Sequence, residues 1–60
     1  MFGVYKHNKY PQYRLIVLEG ADLPAEIKEE WTLFQIIERI EADQEEAIAK
    51  SGWYLYRSSQ

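Results

Sequence analysis

Apolar and polar positions alternate along this chain in short stretches separated by turn-forming residues, which is typical of a small structure that mixes strands and helices. Residues 13–18 predict the clearest strand, because six residues rich in branched aliphatic side chains end close to Gly20. Both faces of this strand are apolar, so we expect it at the centre of a sheet. Residues 2–6 predict a first strand, and the polar connection containing Asn8 and Pro11 indicates an antiparallel hairpin.

The last third of the chain predicts a capped helix that leads directly into a strand. Residues 43–51 have helical character, with Asp43 suited to the N-cap and Glu46 three residues later, as in a capping box. Gly52 suits the left-handed backbone position that ends many helices. Residues 53–57 then place their side chains alternately on two sides, which predicts an aromatic strand.

The middle of the chain, residues 31–40, fits two patterns. As a helix, its apolar side chains follow the i, i+3, i+4, i+7 stripe; as a strand, they alternate. A single helix over residues 24–51 would be about 42 Å long at ~1.5 Å per residue. The strands available to cover it are only about 20 Å long. We therefore predict a helical turn at 24–29 and an extended segment at 31–38, with the all-helical middle as the alternative.

Together these elements predict a small α+β fold, with residues 1–60 as a single small domain. It should contain a small antiparallel sheet of three to four strands, in the order ββ(β)αβ, with one main helix packed on one face. The short turn should begin near Asp22 or Leu23, just before Pro24. Ala47 and Ile48 of the main helix are expected to pack on the sheet, and Ile40, which precedes this helix, is a candidate to join them.

The composition limits how such a fold can be stabilised. A chain of 60 residues buries only about 60% of the surface that its unfolded form exposes, so small folds usually need an additional staple. Because the chain has no cysteine, disulfides and thiolate metal sites are excluded, and His7 alone cannot form an imidazole cluster. The remaining staples are aromatic packing and self-association.

No sequence motif indicates catalysis. The glycines are isolated, so there is no phosphate-binding loop, and the serines have no base arrangement with the only histidine. Acidic residues gather at the predicted helix starts, where the helix dipole favours negative charge. We therefore predict no catalytic, cofactor-binding or metal-ligating residue and no enzyme activity, and we interpret His7 as a solvent-exposed turn residue.

The net charge of −3 is unevenly spread along the chain. Residues 1–18 contain Lys6, Lys9 and Arg14 and no acid, whereas all ten acids lie in residues 19–50. The negative balance disfavours a general nucleic-acid binder. The two parts could neutralise each other within one molecule or across two, so we expect complementary charge to orient a dimer.

Our first functional hypothesis is a non-catalytic module that binds another protein, most simply a second copy of itself. In a sheet covered by one helix, half of the aromatic rings face away from that helix, and a large exposed aromatic patch is often buried by a partner. The alternative is that the loop around Pro24 covers these rings and fills a core. The residues that we expect to bind the partner are Tyr5, Tyr13, Trp53, Tyr54 and Tyr56.

The second functional hypothesis is weak binding of single-stranded nucleic acid by the basic and aromatic N-terminal hairpin. Tyrosine rings can stack on bases while basic side chains contact phosphates. The competing interpretation is that these lysines protect a strand edge from aggregation. The residues that this hypothesis assigns to nucleic acid are Lys6, Lys9, Tyr10, Arg14 and Arg57.

The chain shows no targeting or membrane segment. No apolar run approaches the ~20 residues that span a bilayer, and the residues after Met1 do not form a signal peptide. We therefore expect a cytoplasmic protein and, given the initial methionine, a complete gene product. Its length and composition are typical of short bacterial proteins, and no motif identifies a family.

Overall fold

The computed structural model describes residues 1–21 and 23–58, and it contains the predicted mixture of strands and helices. The prediction of an α+β fold is confirmed, and the all-helical alternative for the middle of the chain is wrong. Asp22, which was expected near the start of the short turn, lies outside the described residues. The elements are β1 (Phe2–His7), β2 (Tyr13–Leu18), α1 (Ala25–Glu30), β3 (Trp31–Ile37), α2 (Ala42–Ser51) and β4 (Trp53–Arg57).

The four strands form one antiparallel sheet in the order β3-β1-β2-β4. The predicted hairpin is formed by β1 and β2, with Val4 opposite Ile16, and Ile16 in turn lies opposite Tyr54 of β4. The strand that is apolar on both faces, β2, is therefore central, as the sequence predicts. The two edges of the sheet are β3 and β4.

One side of the sheet, which we call the helix face, is covered by α2. Ile48 is the buried side chain of α2, and it forms the main core cluster with Val4 and Ile16. This burial confirms the prediction that Ile48 packs on the sheet. Gln44, four residues earlier, lies on the same side of α2 as Ile48. The side chains that pack around the cluster are Phe2, Ile37, Ile40, Tyr54 and Tyr56.

The connection between β2 and β3 has to pass over one face of the sheet. Both strands are antiparallel to β1, which lies between them, so β2 and β3 run parallel and residues 19–30 must cross the sheet. The backbone of Ser58 donates to the carbonyl of Gln12 over 2.6 Å, which makes Arg14 and Ile16 of β2 hydrogen-bond to β4. For L-residues, this register places a right-handed crossover on the face opposite α2.

Burial on this second side, which we call the crossover face, agrees with that path. Leu15 and Val17 point to the crossover face and are only 5% and 2% exposed. Val17 lies opposite Gly3, and the side chains of Tyr5, Leu33 and Ile36 come within 4 Å of where a Cβ of Gly3 would lie. The burial of Leu15 and Val17 meets the expectation of cover on both sides of β2.

The start of α2 differs from the prediction, whereas its end does not. The N-cap is Glu41 rather than Asp43, and the Glu41 backbone N–H donates to Oε1 of Gln44 over 3.0 Å. Glu41 and Gln44 have the same three-residue spacing as the predicted capping pair, and Asp43 lies in the first turn, where the dipole favours a carboxylate. Gly52 ends the helix at a φ of 88°, and its N–H donates to the Ile48 carbonyl over 2.7 Å.

We expect Ile48→Ala to lower the free energy of unfolding by about 2–4 kcal/mol, because it removes the side chain that docks α2 on the sheet. A chain of this size has a total stability of only about 3–9 kcal/mol. Urea unfolding followed by tryptophan fluorescence, at one protein concentration, measures the change. Leu18→Ala is the control, since Leu18 is 52% exposed and its truncation should cost far less; equal losses for the two variants would contradict the assigned role of Ile48.

Candidate functional site

The five aromatic residues expected to bind a partner do not share one surface. Tyr5, Tyr13 and Trp53 lie on the crossover face, because they pair with or alternate with the residues that point there. Tyr54 and Tyr56 lie on the helix face, pack against the core, and have ring centroids 6.1 Å apart. Successive strand residues point to opposite sides of a sheet, so Trp53 and Tyr54 cannot contact the same flat partner.

Half-exposed apolar side chains remain at the two margins of the crossover face. On β4 these are Trp53, 48% exposed, and Leu55, 47% exposed; on β3 they are Leu33, 49% exposed, and Ile36, 41% exposed. We call Trp53, Leu55 and Arg57 the β4 flank, and Leu33 and Ile36 the β3 flank. The sequence prediction, which considered aromatic rings, did not include Leu55, Leu33 and Ile36. The alternation of side chains along β3 and β4 could have identified them.

The two edges differ in regularity. On β3 the register shifts between Val4, which lies opposite Gln35, and Tyr5, which lies opposite Leu33, so Phe34 is an extra residue that interrupts the ladder. Such a bulge twists an edge and discourages further strand pairing. On β4 the pairing with β2 is unbroken from Trp53 to Arg57. The regular edge of the sheet is therefore β4.

The hydrogen-bonding direction of β4 follows from its pairing with β2. Ser58 and Gln12 form a hydrogen-bonded pair, and such pairs alternate along an antiparallel ladder. The backbone groups of Tyr54 and Tyr56 therefore point inward to β2. The backbone N–H and C=O groups that point outward to the edge of the sheet belong to Trp53, Leu55 and Arg57.

The residues assigned to nucleic acid are also divided between surfaces. Lys6 and Arg14 lie opposite each other on the helix face, and their charged groups lie 5.3 and 5.1 Å from the centre of the Phe34 ring. Lys9 and Tyr10 lie together in the hairpin loop, where Nζ of Lys9 is 5.6 Å from the centre of the Tyr10 ring. Arg57 pairs with Tyr13 and therefore belongs to the crossover face.

The Phe34 ring is already engaged by Lys6 and Arg14, so it is not a bare platform of the kind on which bases stack. The bulge explains this contact, because the extra residue turns Phe34 towards the helix face, where the two cations lie. Sequence reasoning gave no role to Phe34 in this cluster, since the bulge depends on how β3 pairs with β1. Nucleic-acid binding stays a prediction.

The interpretation of His7 as an exposed turn residue is wrong. His7 is the last residue of β1, and its side chain is only 16% exposed. Its Nδ1 accepts hydrogen bonds from the backbone N–H groups of Lys9, over 3.1 Å, and Tyr10, over 3.0 Å. Its Nε2 lies 3.6 Å from a carboxylate oxygen of Glu30, and its ring meets that of Trp31 edge-on at 4.8 Å. Because Nδ1 is occupied by two backbone N–H groups and Nε2 faces Glu30, His7 organises the hairpin loop.

Asn8 fastens the same loop to the end of α1. Its backbone N–H donates to the Glu30 carbonyl over 2.8 Å, and its side-chain amide donates to the Glu29 carbonyl over 3.1 Å. The Thr32 hydroxyl donates to the Asn8 side-chain carbonyl. These bonds satisfy the last carbonyls of α1 and fix the start of β3 beside the end of β1.

Two shallow clefts accompany these features. A cleft of about 450 Å³ lies between the hairpin loop, including His7 and Tyr10, and the end of α1 at Glu30. A second cleft, of about 460 Å³, lies beside α2 and is lined mainly by apolar groups such as Phe2, Leu18 and Ile48. Within residues 1–21 and 23–58, no three acidic or histidine side chains come together in a way that could hold a metal ion.

We expect His7→Ala to destabilise the fold by about 1–2 kcal/mol, because two loop N–H groups lose their acceptor and the ring contacts are lost as well. In His7→Asn the side-chain oxygen can take the position of Nδ1. This variant should therefore recover more than half of the stability that His7→Ala loses. Urea unfolding of both variants against the parent protein measures this difference. If the alanine and asparagine variants were equally unstable, the ring contacts rather than the hydrogen bonds would account for the effect.

In the described part of the chain, neither helix has the length and apolar character needed to cross a bilayer. No protein-family model, curated protein or solved structure matches the chain. Function must therefore be inferred from the geometry of the chain itself. Its most distinctive combination is a regular strand edge, β4, that carries two half-exposed apolar side chains, Trp53 and Leu55.

Proposed function

We propose that this protein is a non-catalytic interaction module that associates with a second copy of itself through the β4 flank. The observation that carries the proposal is the exposure of Trp53 and Leu55, 48% and 47%, on an edge strand that no bulge protects. Trp is among the residues most enriched at the energetic centres of protein interfaces. Of the five aromatic residues that the sequence assigns to a partner, Trp53 is the one supported as an anchor by its exposure at the sheet edge.

The small size of the core favours such an association. Among the described residues, the buried hydrophobic side chains are Val4, Leu15, Ile16, Val17 and Ile48. None of the described side chains is less than 2% exposed. A chain of this size gains stability if a partner removes further apolar surface from water. A second copy supplies the same surface and is always present, which makes it the simplest occupant.

The expected affinity follows from the area of the flank. Half of a Trp ring and half of a Leu side chain amount to about 175 Å² per copy, or about 350 Å² for two. At ~25 cal/mol per Å² this contributes about 9 kcal/mol, whereas association costs about 4–15 kcal/mol. Side-chain contact alone therefore leaves at most about 5 kcal/mol, which corresponds to a weak dimer with a dissociation constant of about 0.2 mM.

Charge plays a smaller part in this dimer than the sequence suggested. Lys6 and Arg14 lie on the helix face beside the Phe34 ring of β3, on the opposite side of the sheet from Trp53 and Leu55. The cation of the β4 flank is Arg57, and β4 contains no acidic residue. Orientation should therefore depend on Arg57 and its neighbours rather than on a basic hairpin meeting an acidic helix.

We expect Leu55→Asp to raise the dissociation constant of the dimer at least tenfold, because a buried unpaired carboxylate is strongly unfavourable at an interface. Sedimentation velocity over a concentration series up to hundreds of micromolar measures this. Leu33→Asp on the β3 flank is the matched control, since Leu33 and Leu55 are the same residue type with 49% and 47% exposure. Leu33→Asp should leave the association unchanged.

Two outcomes would overturn the proposal. A parent protein that stays monomeric at hundreds of micromolar has no self-association to explain. If Leu33→Asp weakened a dimer more than Leu55→Asp did, the contact surface would be the β3 flank. A Leu18→Asp variant, altered at an exposed leucine of the helix face, controls for a general effect of a new surface charge.

A further inference from the structure

We propose that the second copy is bound by strand pairing: β4 of one protein lies antiparallel to β4 of another, with Leu55 opposite Leu55. The result is a continuous eight-stranded sheet with a twofold axis through its centre. This inference rests on the proposed function, because it specifies how two copies meet at β4. It adds backbone hydrogen bonds to an apolar contact that is weak by itself.

The backbone of β4 is arranged for this pairing. Its outward N–H and C=O groups belong to Trp53, Leu55 and Arg57, at every second position of an unbulged strand. With Leu55 opposite Leu55, each outward residue meets an outward residue of the second copy. All of them then form hydrogen-bonded pairs, six bonds in total by the geometry of an antiparallel ladder.

The side chains of β4 are complementary to themselves in the same register. On the crossover face, Trp53 lies opposite Arg57 of the second copy, a pair suited to a cation–π contact. On the helix face, Tyr54 lies opposite Tyr56 of the second copy, an aromatic cross-strand pair. No like charges are opposed, because Arg57 is the single charged residue of β4 and the twofold axis places it opposite Trp53.

The neighbouring registers are poorer. A pairing centred on Tyr54 places Trp53 opposite Leu55 and leaves the outward groups of Arg57 beyond the ladder, opposite Ser51 at the end of α2. A pairing centred on Tyr56 places Trp53 opposite residue 59, which lies outside the described residues, so within β4 only Leu55 and Arg57 form outward pairs. Each of these registers forms four of the six outward hydrogen bonds. The register centred on Leu55 is the one that engages the whole strand.

Amide hydrogen exchange on the parent protein tests the backbone pairing without any substitution. The amides of Trp53, Leu55 and Arg57 should exchange at least about tenfold more slowly at concentrations where sedimentation shows the dimer than in dilute solution. The amides of Tyr54 and Tyr56, which already bond to β2, serve as internal controls and should change much less. If the dimer forms and the three outward amides gain no more protection than these two, strand pairing is wrong while the proposed function stands.

Cysteine crosslinking tests the register, since the chain has no cysteine of its own. In a hydrogen-bonded antiparallel pair the Cα atoms are ~5.5 Å apart, which lies within the range that a disulfide spans. Leu55→Cys should therefore oxidise to a covalent dimer. Trp53→Cys alone and Arg57→Cys alone should not, because each would lie more than ~13 Å from its own copy.

A mixture of the Trp53→Cys and Arg57→Cys proteins should form the mixed disulfide, since these positions lie opposite each other. Sedimentation of each variant establishes the concentration at which it still associates, and the oxidation is carried out above that concentration. Crosslinking of Trp53→Cys with Leu55→Cys in preference to this pair would assign the register centred on Tyr54 and overturn the proposed one. A parent protein that never dimerises would overturn the proposed function and the strand pairing together.

Discussion

A sheet whose central strand is apolar on both faces must be covered twice, and one ten-residue helix can cover only one side. The second cover comes from the connectivity: β2 and β3 are parallel, so the chain between them has to cross the face that α2 leaves open. On that face the central strand β2 is buried, whereas the two margins stay half-exposed. The pattern of exposure follows directly, with Val17 2% exposed at the centre and Leu55 47% exposed at the edge.

The contacts between the hairpin loop and the end of α1 stabilise the same crossover. The crossover ends with α1, which leads directly into β3. At this point Asn8 donates hydrogen bonds to the carbonyls of Glu29 and Glu30. His7 supports this junction from β1, since it holds the loop backbone with Nδ1 and faces Glu30 with Nε2. The histidine and asparagine thus stabilise the path of the chain at this junction.

Local signals in the sequence predict most of the elements because each of these depends on nearby residues. The branched aliphatic run gives β2 its bounds, Gly52 ends α2 through its left-handed backbone, and the length of a continuous helix argues for the extended middle. The sequence pattern predicts the cap two residues late, because Asp43 and Glu46 have the same spacing as Glu41 and Gln44. Which of the two pairs forms the cap of α2 depends on the residue at which β3 ends.

The candidate site was harder to predict, because it depends on which strands are neighbours. Alternation along β4 separates Trp53 from Tyr54, but only the strand order shows that Tyr54 meets the core and that Trp53 lies at an edge. The bulge at Phe34 requires the register of β3 against β1. The role of His7 requires that α1 end beside the hairpin. Apart from the local hydrogen bonds from Lys9 and Tyr10 to His7, these relations join residues that are distant in the sequence.

The difference between the two edges bears on what kind of assembly the sheet permits. If β3 and β4 were equally regular, β4 of one copy could pair with β3 of the next, and this head-to-tail contact would continue without closing. The bulge at Phe34 disfavours pairing at β3, so an addition at β4 has no matching edge on which to propagate. A contact between two β4 strands uses the same edge twice and leaves the bulged edges outside. One irregular edge and one regular edge therefore favour a closed pair over a fibre, and the single extra residue in β3 is what separates the two outcomes.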